Sequence, residues 1–513
     1  RKGTRAGRVL PPRQFPPYAT SLYGDVPASG RYTAEHRTLS NPVNIVFIMT
    51  DDHTVQEMGC YGAAMPPTPN LDRIAAAGTR FDRAFCTNAL CAPSRATILT
   101  GVFSHIHGIR GNSEGADNIE ELNPDIPTFP ELLQAAGYRT GLVGKYHIRQ
   151  DPRGFDHWCV HPGQGEYFDP EFIRNGERQR LEGYATDITG DLALEFLNTV
   201  PEEDPFCLVY QFKAPHRPFQ PAPRHATAFA DIEPSKPSTY EDDYATRDIA
   251  GLAQDMRFDV SLASDYDDLP ADLDESQRKD WIFNRFMRDR WRTMVGVDEN
   301  VGRVLDWLDA SGHAEDTLVI YTSDHGYFLG EHGWYDKRFM YDPAIRIPFV
   351  ACAPASCPNA QVTSQMVMNV DVAPTILDFA GIDIPATMQG RSLRSLMMGT
   401  TPTQWRDAVY YAYYEDSWRL RDTQVEQMSE PGFQYFTPHR IGPHRGVRTD
   451  RYKLIEYLGE ADEEGEPRVY WEFFDLAEDP HELNNRYKDP TCAEGVTDLR
   501  QRLRDLQAEF RDT

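Results

Sequence analysis

No apolar run in these 513 residues reaches the ~18 needed to cross a bilayer, so a membrane-spanning helix is excluded. No signal segment is visible either, although the chain starts at Arg1 without a methionine, as a trimmed protein would. Cysteine is scarce. Eight are scattered along the chain, which rules out a disulfide framework as the source of stability; Cys352 and Cys357 are close enough in sequence to bridge, but buried free thiols are the expectation. Positive charge is also short: 52 Lys and Arg face 79 Asp and Glu, a formal net charge of −27, which argues against nucleic acid as substrate or partner. There is no repeat of fixed period and no N-x-S/T glycosylation acceptor. What remains is a chain 40% hydrophobic and 26% charged, enough to bury a large core across two or more domains.

The texture changes twice along the chain. Residues 1–41 carry seven basic and two acidic residues with five prolines, a net +5 against −32 for the rest. They are read as a basic, Pro-rich arm, either a loose terminus or a strap across the acidic body within one chain or between subunits of a homo-oligomer. Residues 42–400 alternate continuous apolar runs with helical stretches such as Thr68 to Ala77 and Thr128 to Ala136, the pattern of a mostly parallel sheet covered by helices. Residues 401–513 hold short strand-like runs (Val409–Tyr414, Arg445–Thr449, Tyr452–Tyr457, Trp471–Phe474). A terminal helix with Leu499, Leu503, Leu506 and Phe510 at near-helical spacing follows. The expected fold is α/β, a large mixed sheet sandwiched by helices, with a small C-terminal α+β subdomain containing an antiparallel sheet. The Asp-rich stretch Glu241 to Glu275 reads as a solvated insertion or part of a pocket rim.

Chemistry-bearing residues recur where apolar runs stop. Asn44–Thr50 ends at Asp51 and Asp52, adjacent carboxylates that repel one another and invite a cation; a helix N-cap would explain one of them but not both. Thr317–Tyr321 leads into Thr322-Ser323-Asp324-His325-Gly326. Thr140–Gly144 leads into Lys145 and His147, whose i, i+2 spacing puts them on one side of an extended segment. Cys207–Phe212 leads into Lys213-Ala214-Pro215-His216-Arg217-Pro218. In open α/β sheets such strand ends share a ligand crevice, which would unite pairs far apart in sequence. Between them lies Cys91-Ala92-Pro93-Ser94-Arg95, a plausible helix start with Pro93 in its first turn and Arg95 about one turn beyond Cys91. Taken singly, Cys91 reads as a small buried hydrophobe and each His or Lys as a solvated surface residue.

Together these segments resemble type I sulfatases, the formylglycine-dependent branch of the alkaline-phosphatase-like superfamily. The C-x-P-S-R signature, the four strand-end motifs and Leu329–Tyr341 fall in the family's order, and Asn369–Leu377, Gly390–Leu393 and Phe474–Asn485 also resemble sulfatase segments. The resemblance implies that a maturation enzyme converts Cys91 to formylglycine, whose hydrated aldehyde attacks sulfur and later expels sulfate. It implies a divalent metal on Asp51, Asp52, Cys91, Asp324 and His325, and catalytic roles for Arg95, Lys145, His147, His216 and Lys337. Lys145 would bridge the nucleophile and a sulfate oxygen, and His147 would hold or deprotonate the nucleophile. His216 would bind sulfate or protonate the leaving oxygen, and Lys337 would neutralise charge developing there. His325 departs from the commoner Asn, a variation found in choline-sulfatase-like enzymes and phosphonate monoester hydrolases. Calcium is the first expectation by resemblance; imidazole suits manganese, iron or zinc better than calcium, so manganese comes second, and magnesium is also possible.

Asp336–Tyr341 and Gly163–Tyr167 look most like carbohydrate sulfatases similar to N-acetylglucosamine-6-sulfatases. The expected substrate is therefore a small sulfated sugar or glycan terminus, cut from the end, and the acidic surface fits this better than sliding along a polyanion. His107, His157, His332, His439, His444 and Arg445 are the candidate pocket residues, each equally readable as structural. The rival readings are a phosphonate monoester or phosphodiester hydrolase and a non-catalytic glycan-binding relative. The missing glycosylation acceptor weighs against a lysosomal member; a soluble bacterial enzyme, cytoplasmic or exported, is expected.

Overall fold

The computed structural model describes residues 42–112, 120–247, 251, 255–354, 357, 358, 360–415, 441–461 and 467–512. Its strands are β1 (Asn44–Thr50), β2 (Thr79–Phe81), β3 (Ala84–Phe85), β4 (Arg139–Gly144), β5 (His157–Val160), β6 (Glu171–Arg174), β7 (Glu177–Arg180), β8 (Phe206–Gln211) and β9 (Thr317–Ser323). They continue with β10 (Phe328–Leu329), β11 (Tyr335–Asp336), β12 (Phe349–Cys352), β13 (Gln361–Thr363), β14 (Val367–Met368), β15 (Ala408–Tyr413), β16 (His444–Thr449), β17 (Tyr452–Ala461) and β18 (Pro467–Asp475).

Ten of them form one sheet in the order β13-β2-β12-β9-β1-β8-β4-β5-β6-β7. The stretch β9-β1-β8-β4-β5 is parallel throughout, and antiparallel pairings flank it at β12 and β6. Every residue of β1 is buried, as a continuous apolar run demands of a strand covered on both faces. Its side chains alternate between two cores. Ile45, Phe47 and Met49 pack with Ile98, Phe129, Leu133 and Ile376 from the helices Cys91–Thr100, Phe129–Ala135 and Val372–Phe379. Val46 and Ile48 pack with Leu71, Ile74, Leu192, Phe196, Val297 and Val301 from the helices Pro69–Ala77, Ala185–Thr199 and Glu275–Ser311.

β15 to β18 form a separate antiparallel sheet, onto which the helix Ala493–Phe510 turns Val496, Leu499, Leu503 and Leu506. No helix among the described residues is long and apolar enough to cross a membrane.

One expectation changes in part. The stretch from Glu241 is solvated only in part where described: Glu241, Asp243, Asp267, Asp268, Asp272 and Glu275 are exposed, but Met256, Phe258 and Leu262 are fully buried, and Asp242 and Asp265 are paired with Arg247 and Arg217. Cys352 and Cys357 are not bridged, as expected; the sulfur of Cys357 lies 3.2 Å from that of Met398.

Candidate active site

Four neighbouring parallel strands deliver their C-terminal residues to one place. β1 releases Asp51 and Asp52, β9 Asp324 and His325, β4 Lys145 and His147, and β8 the loop from Lys213 to His216, so segments far apart in sequence meet because their strands are adjacent. The helix Cys91–Thr100 begins at this corner. Cys91 is fully buried, with Sγ 3.5 Å from Asp51 Oδ1 and 3.5 Å from His325 Nε2. The residues that set this geometry are held tightly: Ser94 Oγ donates to the Asp324 carbonyl and accepts from Asn369 Nδ2 at 2.8 Å. Ala92 N–H donates to Asn112 Oδ1 at 3.0 Å. Asp52 and His147 sit at φ of +70° and +58°, left-handed conformations that non-glycine residues keep only where their surroundings impose them.

Arg95 reaches the carboxylates around residue 91. Its guanidinium lies 2.9 Å from Asp324 and 3.5 Å from Asp51, and donates to Gln211 Oε1 at 3.1 Å and to the Lys145 carbonyl. Lys145 Nζ donates to Asp51 Oδ2 and to Gln164 Oε1. Lys337, on the loop after β11, donates to Asp52 Oδ1 at 2.5 Å. His216 donates from Nδ1 to the Arg217 carbonyl at 2.8 Å, which leaves Nε2 as a lone pair. His325 is fixed likewise by the Gly326 carbonyl at 2.9 Å, and its Nε2 faces Asp52 Oδ1 and Asp324 Oδ1, each at 3.5 Å.

Charge balance follows from this packing. Burial works to raise the Asp51 carboxyl, but Lys145, His216, Arg95 and Lys337 outweigh it and hold the group well below the usual range. Asp52 is pushed up to about 7, by burial first and by repulsion from Asp51, Asp324 and Asp336 against the pull of Lys337. His216 is driven well below its ordinary value by burial, Lys145 and Lys337, and so is neutral. Burial opposes the charge on Lys337, yet Asp52 keeps it firmly protonated.

Donor atoms of Asp51, Cys91, Asp324 and His325 lie within 4.8 Å of one another, as do those of Asp51, Asp52, Cys91 and His216. Asp52 Oδ2 is buried without a hydrogen-bond partner. A set of hard oxygens plus one imidazole with its Nε2 turned inward fits a divalent cation, which would also relieve the repulsion on Asp52.

The pocket candidates fare less well. His107 is buried with its ring between Thr97 Oγ1 and the Ile109 N–H, each at 3.1 Å, and thus ties its own turn to the Cys91 helix. His157 starts β5, the end of a parallel strand opposite to the site, and stacks on Phe196. His332 is paired with Asp242 at 2.7 Å inside a cage of Phe328, Trp334 and Tyr341. Arg445 is spent on its cross-strand neighbour Glu456 at 2.7 Å. His444 is fully ringed by Phe339, Tyr411, Tyr413 and Tyr457, bound through Nδ1 to the Gly442 carbonyl, with Nε2 buried and without a hydrogen-bond partner. His439 lies outside the described residues.

Sequence reasoning passed over Lys213, buried at the end of β8, whose Nζ donates to the carbonyls of Gln164 and Arg217 at 3.2 and 3.0 Å. Burial, then Lys145, push its ammonium down to about 7. Its place directly after an apolar run was the available signal. Arg290, whose Nη2 donates to the Asp52 carbonyl at 2.7 Å, carried no such signal because it sits mid-helix.

Residues 43–382 match the sulfatase family, and residues 421–509 match the C-terminal region of N-sulphoglucosamine sulphohydrolase. An N-acetylglucosamine-6-O-sulfatase of Bacteroides thetaiotaomicron is 39% identical over 516 residues, covering 91% of this chain and 87% of that protein. The human N-acetylglucosamine-6-sulfatase is 28% identical over 474 residues, covering 86% and 80%. Among solved structures, one in complex with its substrate D-glucosamine-2-N,6-O-disulfate superposes with a TM-score of 0.83 at 38% identity, covering 92% of this chain and 99% of that one. A phosphonate monoester hydrolase from Silicibacter pomeroyi, at 23% identity and a TM-score of 0.70 over 91% and 95% of the two chains, shares the fold.

Proposed function

Because the chain belongs to the sulfatase family and is a sulfuric ester hydrolase, we propose that it removes the 6-O-sulfate from a terminal glucosamine-type sugar, using residue 91 as formylglycine. The observation that carries this reading is the meeting of Cys91 Sγ with Asp51 and His325 at 3.5 Å each, beside the buried cations of Arg95, Lys145 and Lys337. The substrate class is supported by the curated relative of 39% identity, named a 6-O-sulfatase, and by the solved structure of 38% identity, bound to a 6-O-sulfated glucosamine.

Formylglycine at position 91 would supply a hydrated aldehyde, a nucleophile able to release its sulfate without attack by water. Calcium is the first choice for Asp51, Asp52, Asp324, His325 and residue 91, with manganese or magnesium next, and would supply charge for a sulfate oxygen and the nucleophile. The remaining work belongs to side chains. Arg95 orients the carboxylates of Asp51 and Asp324, and Lys145 and His147 hold the nucleophile and a sulfate oxygen. His216 enters neutral with its Nε2 lone pair available; as the sulfate anion arrives, Nε2 takes a proton from solvent and then passes it to the departing sugar oxygen. Lys337 stabilises charge on that oxygen as the S–O bond breaks.

Two measurements on enzyme co-produced with a maturation enzyme decide the matter. Peptide mass spectrometry is expected to show residue 91 lighter than cysteine by the change of CH2SH to CHO; a thiol in fully active protein would end the mechanism. Steady-state kcat/KM should rank N-acetylglucosamine-6-sulfate above aryl sulfate and above a phosphate diester. A preference for the diester would reassign the chain to the phosphonate and phosphodiester hydrolases of the superfamily.

A further inference from the structure

Asp52 is fixed by three segments distant in sequence. Its N–H donates to Asp324 Oδ1 at 3.3 Å, its Oδ1 accepts from Lys337 at 2.5 Å, and its carbonyl accepts from Arg290 Nη2 at 2.7 Å. Arg290 is fully buried in the helix Glu275–Ser311 and stacks over Tyr327, its guanidinium carbon 4.4 Å from the ring centre. Its Nε and Nη2 also donate to the two carboxylate oxygens of Glu57 at 3.0 and 2.5 Å. Glu57 lies just beyond Asp52 on the same loop, so one guanidinium grips both ends of that turn. His53, between them, is tied to the Glu57 carbonyl at 3.2 Å and to Tyr321 Oη at 2.7 Å.

A wholly buried ion pair adds little stability over well-packed apolar side chains, because desolvation consumes most of its attraction. Its contribution here is therefore sought in position. The carbonyl grip falls on the residue whose φ is +70° and whose Oδ2 has no protein partner. We infer that Arg290 and Glu57 are a positioning pair that imposes the left-handed turn on Asp52 and so keeps its carboxylate among the metal donors. The inference rests on the metal reading above, and neither residue touches the metal or substrate.

The test is calcium binding to chelator-stripped, folded protein by titration calorimetry, without substrate. Arg290→Met is expected to weaken calcium binding by about 10–100-fold, as loss of a group that orients a metal ligand does, with partial recovery in Arg290→Lys. Glu57→Gln, which keeps the shape of the pair, should weaken it in the same direction and serves if Arg290→Met does not fold. Because Arg290 acts through Asp52, the effect of Arg290→Met should shrink in an Asp52→Asn background. A role in stability alone would lower the melting midpoint without this coupling. Affinity within about twofold of the parent in a folded variant, or additive losses in the double variant, would overturn the inference. A parent chain that binds neither calcium nor manganese would remove the metal reading, and this one with it.

Discussion

His216 and Lys337 reach the reacting corner from different elements and in different charge states, one neutral with its proton on Nδ1, the other an ammonium held by Asp52. In the mechanism proposed above, each would assist most when the departing oxygen is a poor leaving group. His216→Ala and Lys337→Ala should each lower kcat and kcat/KM together by on the order of 10²–10³ on a sugar sulfate. The loss on nitrophenyl sulfate should be smaller; equal losses on both substrates would show that neither residue serves the leaving oxygen. At this scale the strand-end residues were legible because a carboxylate or lysine directly after a continuous apolar run has few structural uses. His107, His157 and His332 were not, since a histidine's role is decided by what its ring meets, and here it meets Thr97, Phe196 and Asp242.

Among the elements, β4 is the least tolerant. It ends at Gly144, φ +97°, where an added Cβ would lie 1.7 Å from the Gln211 carbonyl of neighbouring β8. Gly144→Ala therefore combines a left-handed backbone with a clash against main chain, and should cost on the order of 3 kcal/mol or more, read as a lower urea midpoint. Retention of the parent midpoint would mean that β4 and β8 can separate. The central strands were plain in the sequence because burial on both faces leaves an unbroken apolar run. The helix Glu275–Ser311 was not, because its inward face includes Asp289, Arg290, Arg292 and Asp298, which satisfy one another or the main chain and break the apolar period. The same physics hid the buried part of the acidic stretch before it, around Met256, Phe258 and Leu262.

For the molecule as a whole, His107, His161 and His444 are buried neutral, their rings lowered by burial to about 3, about 3 and about 4. Below the ordinary histidine value the unfolded chain binds protons that the folded chain refuses. The contribution of these rings to stability is thus fully present above roughly pH 6.5 and is lost as pH falls through their folded values of about 4 to 3, at up to about 1.4 kcal/mol per pH unit for each ring. Urea midpoints in chelator should be lower at pH 5 than at pH 7; an equal or higher value at pH 5 would show that these rings titrate normally.

The adjacency of β1 and β9 also has a meaning in time. Cys91 and His325 are 234 residues apart, and β1 has no β9 to lie against until the later strand has been made. At ~5–20 residues per second a ribosome needs on the order of 10 to 50 s to cover that distance. During this interval the segment around residue 91 exists without the corner that later encloses it, whereas the finished fold leaves Cys91 no exposed surface. On the formylglycine reading proposed above, an enzyme that rewrites this residue would have to reach it before that corner closes, and the active fraction of a preparation would record how often it did.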